Sequence, residues 1–204
     1  MQYQITLNIG DAGVAQINTN LGQYITVVKA VKPTPAPGKP IIAWVSTTAW
    51  DTVTITWEEE YYVYAYEKLI STGDTISLFS ASQQAIVGET YPFASGKFGS
   101  GTHGQNGTIG TTNNGGSNIT MGLAQDVAVN GKTVKSPINA VVVGNTELVT
   151  FVPEVTVSVF LQGYANNGVV ISDITSNACT VTLTSDVPTA NLSFDPNSNQ
   201  FQKQ

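Results

Sequence analysis

From Trp50 to Leu69 the side chains change character every second residue. The odd positions read Asp51, Val53, Ile55, Trp57, Glu59, Tyr61, Val63, Ala65, Glu67 and Leu69. The even ones read Thr52, Thr54, Thr56, Glu58, Glu60, Tyr62, Tyr64, Tyr66 and Lys68. Extended backbone sends successive side chains to opposite faces, so the pattern predicts one core-facing side and one Thr-to-Tyr side. Glu59 interrupts the apolar face. Either a β-bulge at Glu58-Glu59-Glu60 shifts the phase or the strand end there opens to water. Twenty residues is long for one straight strand, so two strands joined by a bend are expected.

The same rhythm, bounded by turn residues, predicts strands over 2–9, 23–31, 41–47, 50–57, 60–69, 74–80, 118–129, 139–143, 147–151, 154–162, 168–174, 178–184 and 190–194. No segment reads as a helix, and no internal repeat is legible. Asn130-Gly131 predicts a type I′ hairpin between Val129 and Lys132. Asn166-Asn167-Gly168 predicts another, between the run ending at Leu161 and Val169-Val170-Ile171. The fold class is therefore all-β, a two-sheet antiparallel sandwich of jelly-roll or Ig-like topology. Val53, Ile55, Trp57, Val63, Val157, Val159, Leu161, Val181 and Leu183 are its expected core, with Trp44 beside them.

Residues 1–194 read as a single domain, with a sub-boundary possible only in the glycine-rich stretch 99–117. That stretch is too long for an ordinary connection and is expected to be a loose or functional loop. Residues 195–204 read as a flexible tail. The run from Lys32 to Pro40 holds four prolines and reads as a stiff surface crossover.

Composition narrows the function. Charged residues are only 11% of the 204, against roughly 25% in an average domain. All basic residues are lysines, the net charge is −6, and the pI is near 4.5. Without arginine or clustered cations, nucleic acid is excluded as a partner and anionic lipid is disfavoured. Cys179 has no partner for a disulfide and reads as a buried core thiol. No signal peptide is visible. The compartment stays open between cytosolic synthesis with release and a mature secreted fragment.

Catalytic chemistry is sparse. His103 is the single histidine, so a Ser or Cys nucleophile lacks a well-held base. No zinc spacing, phosphate loop or dinucleotide fingerprint occurs, and no cofactor is expected. Glu58 to Tyr64 resembles the nucleophile strand of small β-jelly-roll xylanases, which implies a glycosidase using Glu58 or Glu60 as one of a pair of glutamates, with Glu89, Glu147 and Glu154 as the partners by default. No second glutamate stands in the context those enzymes use for the acid.

The candidate ligand-binding residues are Tyr62, Tyr64, Tyr66, Trp50, Glu58 and Glu60. Amphipathic rings suit sugar faces or a headgroup boundary. The leading expectation is a non-enzymatic binding protein for a neutral glycan or neutral membrane surface, lectin-like or toxin-like, with pore formation and a defensive role in view. A self-assembling structural protein, and hence a homo-oligomer, is the alternative, beside the glycosidase.

Overall fold

The alternating segments pair into two large sheets that face each other. The computed structural model describes residues 1–35, 41–174 and 177–204. In the first sheet, β1 (Gln2–Asn8) lies between β5 (Thr52–Tyr66) and β17 (Thr189–Asp195). Beyond β5 come β11 (Ile119–Val129) and β12 (Lys132–Pro137), and beyond β17 comes β18 (Gln200–Lys203). β6 (Ser80–Ala85) pairs with β5, and β13 (Val141–Val143) with β11.

The second sheet runs β4 (Val45–Thr47), β2 (Tyr24–Thr34), β14 (Leu148–Gln162), β10 (Ile109–Asn113), β7 (Glu89–Ala94), β8 (Lys97–Phe98). β16 (Cys179–Thr182) joins β14, and β9 (Thr102–His103) joins β7. A small pair, β3 (Ile41–Ile42) with β15 (Val170–Ile171), completes the described strands. The pairing is antiparallel except for β1 with β17 and β10 with β7, which are parallel. The molecule is an all-β sandwich, and all nine expected core residues are buried between its sheets.

The halves of the chain repeat one another, which corrects the expectation of no repeat. A shift that carries Thr52 onto Leu148 superimposes the burial of β5 on that of β14. Val53, Ile55, Tyr61, Val63, Tyr64 and Ala65 correspond to Val149, Phe151, Val157, Val159, Phe160 and Leu161, all buried. The same shift carries β2 onto β11 and β6 onto β16.

Each long strand pairs with the other half's partner, β5 with β11 and β14 with β2. Exchanging the halves therefore maps one sheet onto the other, a pseudo-two-fold arrangement. The edge hairpins match as well: Phe93 packs on Phe98 at 5.0 Å and Phe194 on Phe201 at 5.2 Å. Little side-chain identity survives between the halves, so the repeat shows in burial and pairing alone.

A bulge occurs at the expected place, but it does not shift the phase, and a second one lies in β14. In β5, Glu58, Glu59 and Glu60 span the space where β11 has only Asp126. In β14, residues 154–156 do the same opposite Ala30 of β2. The two extra residues preserve phase, so β5 and β14 each continue as one strand of 15 residues rather than two strands with a bend.

Other expectations change. The stretch 99–117 contains β10, whose Ile109, Thr111 and Asn113 are fully buried. Glycine conceals the strand: a Cβ on Gly110 would meet Thr90 Oγ1 at 2.5 Å. Residues 195–204 are no loose tail, because β18 pairs with β17 and buries Phe201. Asn130 and Gly131 have φ of 48° and 81°, and they close the predicted hairpin. The hairpin expected at Asn166-Asn167-Gly168 is not made, since β15 pairs with β3 instead.

Between β1 and β2 the chain forms α1 (Gly10–Ala15) and a π-helical turn, Gln16–Leu21, that bury Gly13 and Ile17. Lys32, Pro33 and Thr34 end β2, whereas positions 36–40 of the proline-rich run lie outside the described residues.

Candidate functional site

The β5 bulge divides its three glutamates between two environments. Glu58 and Glu60 point outward into a groove of about 270 Å³, lined also by Gln2, Thr56, Trp57, Asp126, Ala128 and Thr133. Tyr62 does not line it but is tied to its rim through Asp126, and is half-buried. Its phenol is pushed up from its ordinary value by burial, then by the charge and hydrogen bonding of Asp126 and the charge of Glu60. Lys135 lies over the Tyr62 ring, with its Nζ 3.9 Å from Asp126 Oδ2. The groove thus offers three carboxylates, hydroxyls, an amide and an aromatic edge. That set can accept and donate hydrogen bonds to a hydroxyl-rich ligand and repels phosphate.

Glu59 points inward. Its Oε1 lies 2.7 Å from Lys29 Nζ and accepts a hydrogen bond from Trp57 Nε1 at 3.0 Å, while Tyr61 donates to Oε2. Lys29 also donates to Gln125 Oε1 at 2.8 Å and stands 3.3 Å from the Tyr61 hydroxyl. The Lys29 side chain is wholly buried. The Trp44, Trp57 and Tyr61 rings surround it at 5.5, 5.5 and 5.1 Å. Burial pulls its ammonium down to about 8, with Glu59 opposing. Burial and the neighbouring Glu59 push the Tyr61 phenol up.

The tyrosine row is not an open platform. Tyr64 is fully buried and donates from its hydroxyl to the Asn139 carbonyl at 2.7 Å. Its ring lies across β11 at Gly122, where a Cβ would meet Tyr64 Cε1 at 2.8 Å and Asn139 O at 2.2 Å. The outer face of the sheet is therefore covered at this point, which removes Tyr64 from any surface a ligand could reach. Tyr62 and Tyr66 pack half-buried beside it, with Ile70 and Leu78.

Trp50 is 60% exposed, but it precedes β5 at the end opposite Tyr66. Strand rise of about 3.3 Å per residue, less the two bulged residues, places it roughly 30 Å from Tyr62, so it does not extend the row. Glu58, Glu60 and Tyr62 come together; Tyr64, Tyr66 and Trp50 do not join them.

Lys29, Gln125 and Asp126 carry this region and were not singled out by sequence reasoning. The signal was present. Ile25, Val27, Lys29, Val31 and Met121, Leu123, Gln125, Val127 are core-facing alternations, each broken once by a polar residue at the corresponding position.

A second concavity, about 480 Å³, is lined by Val28, Ile42, Ile138, Asn139 and Ala140 among others, and it also borders Pro33 and Ile174. Cys179 is half-buried rather than fully buried. His103 is exposed. Among the described residues no three His, Cys, Asp or Glu side chains converge as a metal site. Compared with known proteins, the chain matches no family model, no curated protein and no solved structure.

Proposed function

We propose that the chain is a non-enzymatic binding protein that takes a neutral glycan in the outward groove over the β5 bulge. One observation carries this reading: Glu58, Glu60, Asp126 and the Gln2 amide line one groove, and the Tyr62 phenol interacts with Asp126 at its rim. Carboxylates and amides hydrogen-bond sugar hydroxyls, and a tyrosine edge gives an apolar contact for a sugar ring. A charged phosphate or sulfate ligand is disfavoured by the same carboxylates. A membrane surface is the weaker target. The accessible aromatic row it would need is interrupted by buried Tyr64, and Trp50 lies far away.

A glycan array run beside a liposome-leakage assay on the purified protein tests the proposal. Selective binding to uncharged glycans without leakage supports it. Leakage from neutral vesicles with no glycan bound favours the membrane reading. Release of reducing ends from a bound polysaccharide would make the groove a glycosidase site using Glu58 or Glu60.

A further inference from the structure

Lys29 and Gln125 occupy corresponding positions in the two halves and meet in the core, one from each sheet. A primary amine and a carboxamide are thereby held together out of water, against a carboxylate whose side chain is 26% exposed. The Lys29 side chain is wholly buried and Gln125 has no exposed surface. Nζ is 2.8 Å from Gln125 Oε1 and 2.7 Å from Glu59 Oε1. Gln125 Nε2 donates to the Glu58 carbonyl at 2.5 Å, which fixes the orientation of the amide. Trp57 and Tyr61 hold Glu59 in place through hydrogen bonds to its two oxygens.

We propose that this cluster forms an intramolecular isopeptide bond between Lys29 Nζ and Gln125 Cδ, with Glu59 as the proton carrier. The Nζ ammonium passes a proton to Glu59 and its lone pair attacks Cδ, forming the Nζ–Cδ bond. Protonated Glu59 delivers that proton to Nε2 and then takes the extra proton from Nζ of the tetrahedral adduct. The Cδ–Nε2 bond breaks, and Nε2 leaves as ammonia, which carries off the proton from Glu59 as ammonium. The net change is one ammonium and one carboxamide converted to one secondary amide and one ammonium ion. No oxidant, metal or cofactor enters the balance.

Two features favour the reaction over a static ion pair. The amine already touches the carboxamide through its oxygen at 2.8 Å, so attack on the adjoining carbon needs only a reorientation within the buried contact and no diffusional encounter, the source of the intramolecular advantage. Burial, which draws the ammonium down to about 8, makes the nucleophilic free amine accessible near neutral pH. The product would tie β2 of one sheet to β11 of the other, and so the two halves of the chain to each other. Glu59 touches the reacting amine and is the catalytic residue; Trp57 and Tyr61 are positioning residues.

Intact-mass spectrometry of the purified chain, followed by a digest, tests this. The expected mass is lower than the sequence mass by one ammonia, and the digest should yield one branched peptide containing both Lys29 and Gln125. Lys29→Met, Gln125→Leu and Glu59→Gln should each restore the full mass expected from their sequence. Cyclisation of an N-terminal Gln2 would also lose ammonia, and the digest assigns that loss elsewhere. Full sequence mass in the native protein would overturn the proposal without recourse to any variant. So would a deficit that persists in Lys29→Met or maps outside the Lys29–Gln125 pair.

Discussion

Lys29 Nζ donates to Gln125 Oε1 across the interface between the two sheets, and the two residues hold corresponding places in the repeated halves. On one side of this contact stands Glu59. Val155, its counterpart in the other half, carries no charge. The symmetry is thus broken at its centre, where one charged pair and one amide replace the apolar residues that the surrounding pattern leads one to expect. A buried ammonium is tolerated only when paired and hydrogen-bonded.

Removing the counter-charge should therefore be severe. Glu59→Ala leaves Lys29 buried without an anion, and the expected loss is about 3 kcal/mol or more by urea denaturation. A double change, Glu59→Ala with Lys29→Met, should recover much of that loss by restoring an apolar core. Equal stability of Glu59→Ala and the wild type would contradict the geometry.

The Tyr64–Gly122 contact gives a second expectation. A methyl group at position 122 would overlap the Asn139 carbonyl and the Tyr64 ring. Gly122→Ala should cost about 1–3 kcal/mol from overpacking. Tyr64→Phe should cost only about 1 kcal/mol, for the hydrogen bond to Asn139. Thermal or chemical melts of the two variants decide whether the ring lies where it is described.

Alkaline pH should weaken the fold. Burial pushes the phenols of Tyr61 and Tyr64 above their ordinary value. Both stay neutral in the folded chain, whereas unfolded tyrosine ionises near about 10. Above that pH the unfolded state holds fewer protons, so stability falls as pH rises. A free Lys29 amine acts in the opposite sense. Its folded value of about 8 lies under the ordinary 10.5, so the unfolded chain binds more protons between them and stability rises with pH. Urea midpoints measured from neutral to above pH ~10 should show the alkaline fall, blunted in Tyr64→Phe. An acylated Lys29 would show no preceding rise.

The terminal hairpin should matter as well. Phe201 is buried against Phe194, and Phe201→Ala should cost about 3 kcal/mol or more. A negligible change would return the last residues to the status of a loose tail.

Alternation made the core legible because Val, Ile and Trp at every second position have few other ways to leave water. Strands without that chemistry stayed hidden. β10 is built from Ile109, Gly110, Thr111, Thr112 and Asn113, and its burial is enforced by neighbours rather than by its own hydropathy. The short helix went unread, because Gly10, Asp11 and Gly13 are poor helix formers and Gly13 is its one buried residue. Glu59 could be recognised as anomalous from its position alone. Its partners could not, since Lys29 and Gln125 are brought to it by pairing across the two halves.

The outward site was legible in part. Parity correctly put Glu58, Glu60 and Tyr62 on one face, but it could not foresee that residues near Asn139 cover Tyr64, and it took no account of the length of strand between Trp50 and the tyrosines. Asp126 becomes part of the groove only through the bulge that sets it opposite the three glutamates.

Recognition at the groove is tested most directly by the dissociation constant for an array-selected neutral glycan, measured on Glu60→Gln, Tyr62→Ala and Trp50→Ala. The groove variants should each weaken binding about tenfold or more, a cost of about 1.4 kcal/mol, with their melting temperatures unchanged. Trp50→Ala should bind as the wild type does. Loss of binding in Trp50→Ala, with Glu60→Gln and Tyr62→Ala unaffected, would place recognition at the opposite end of β5 and contradict the account.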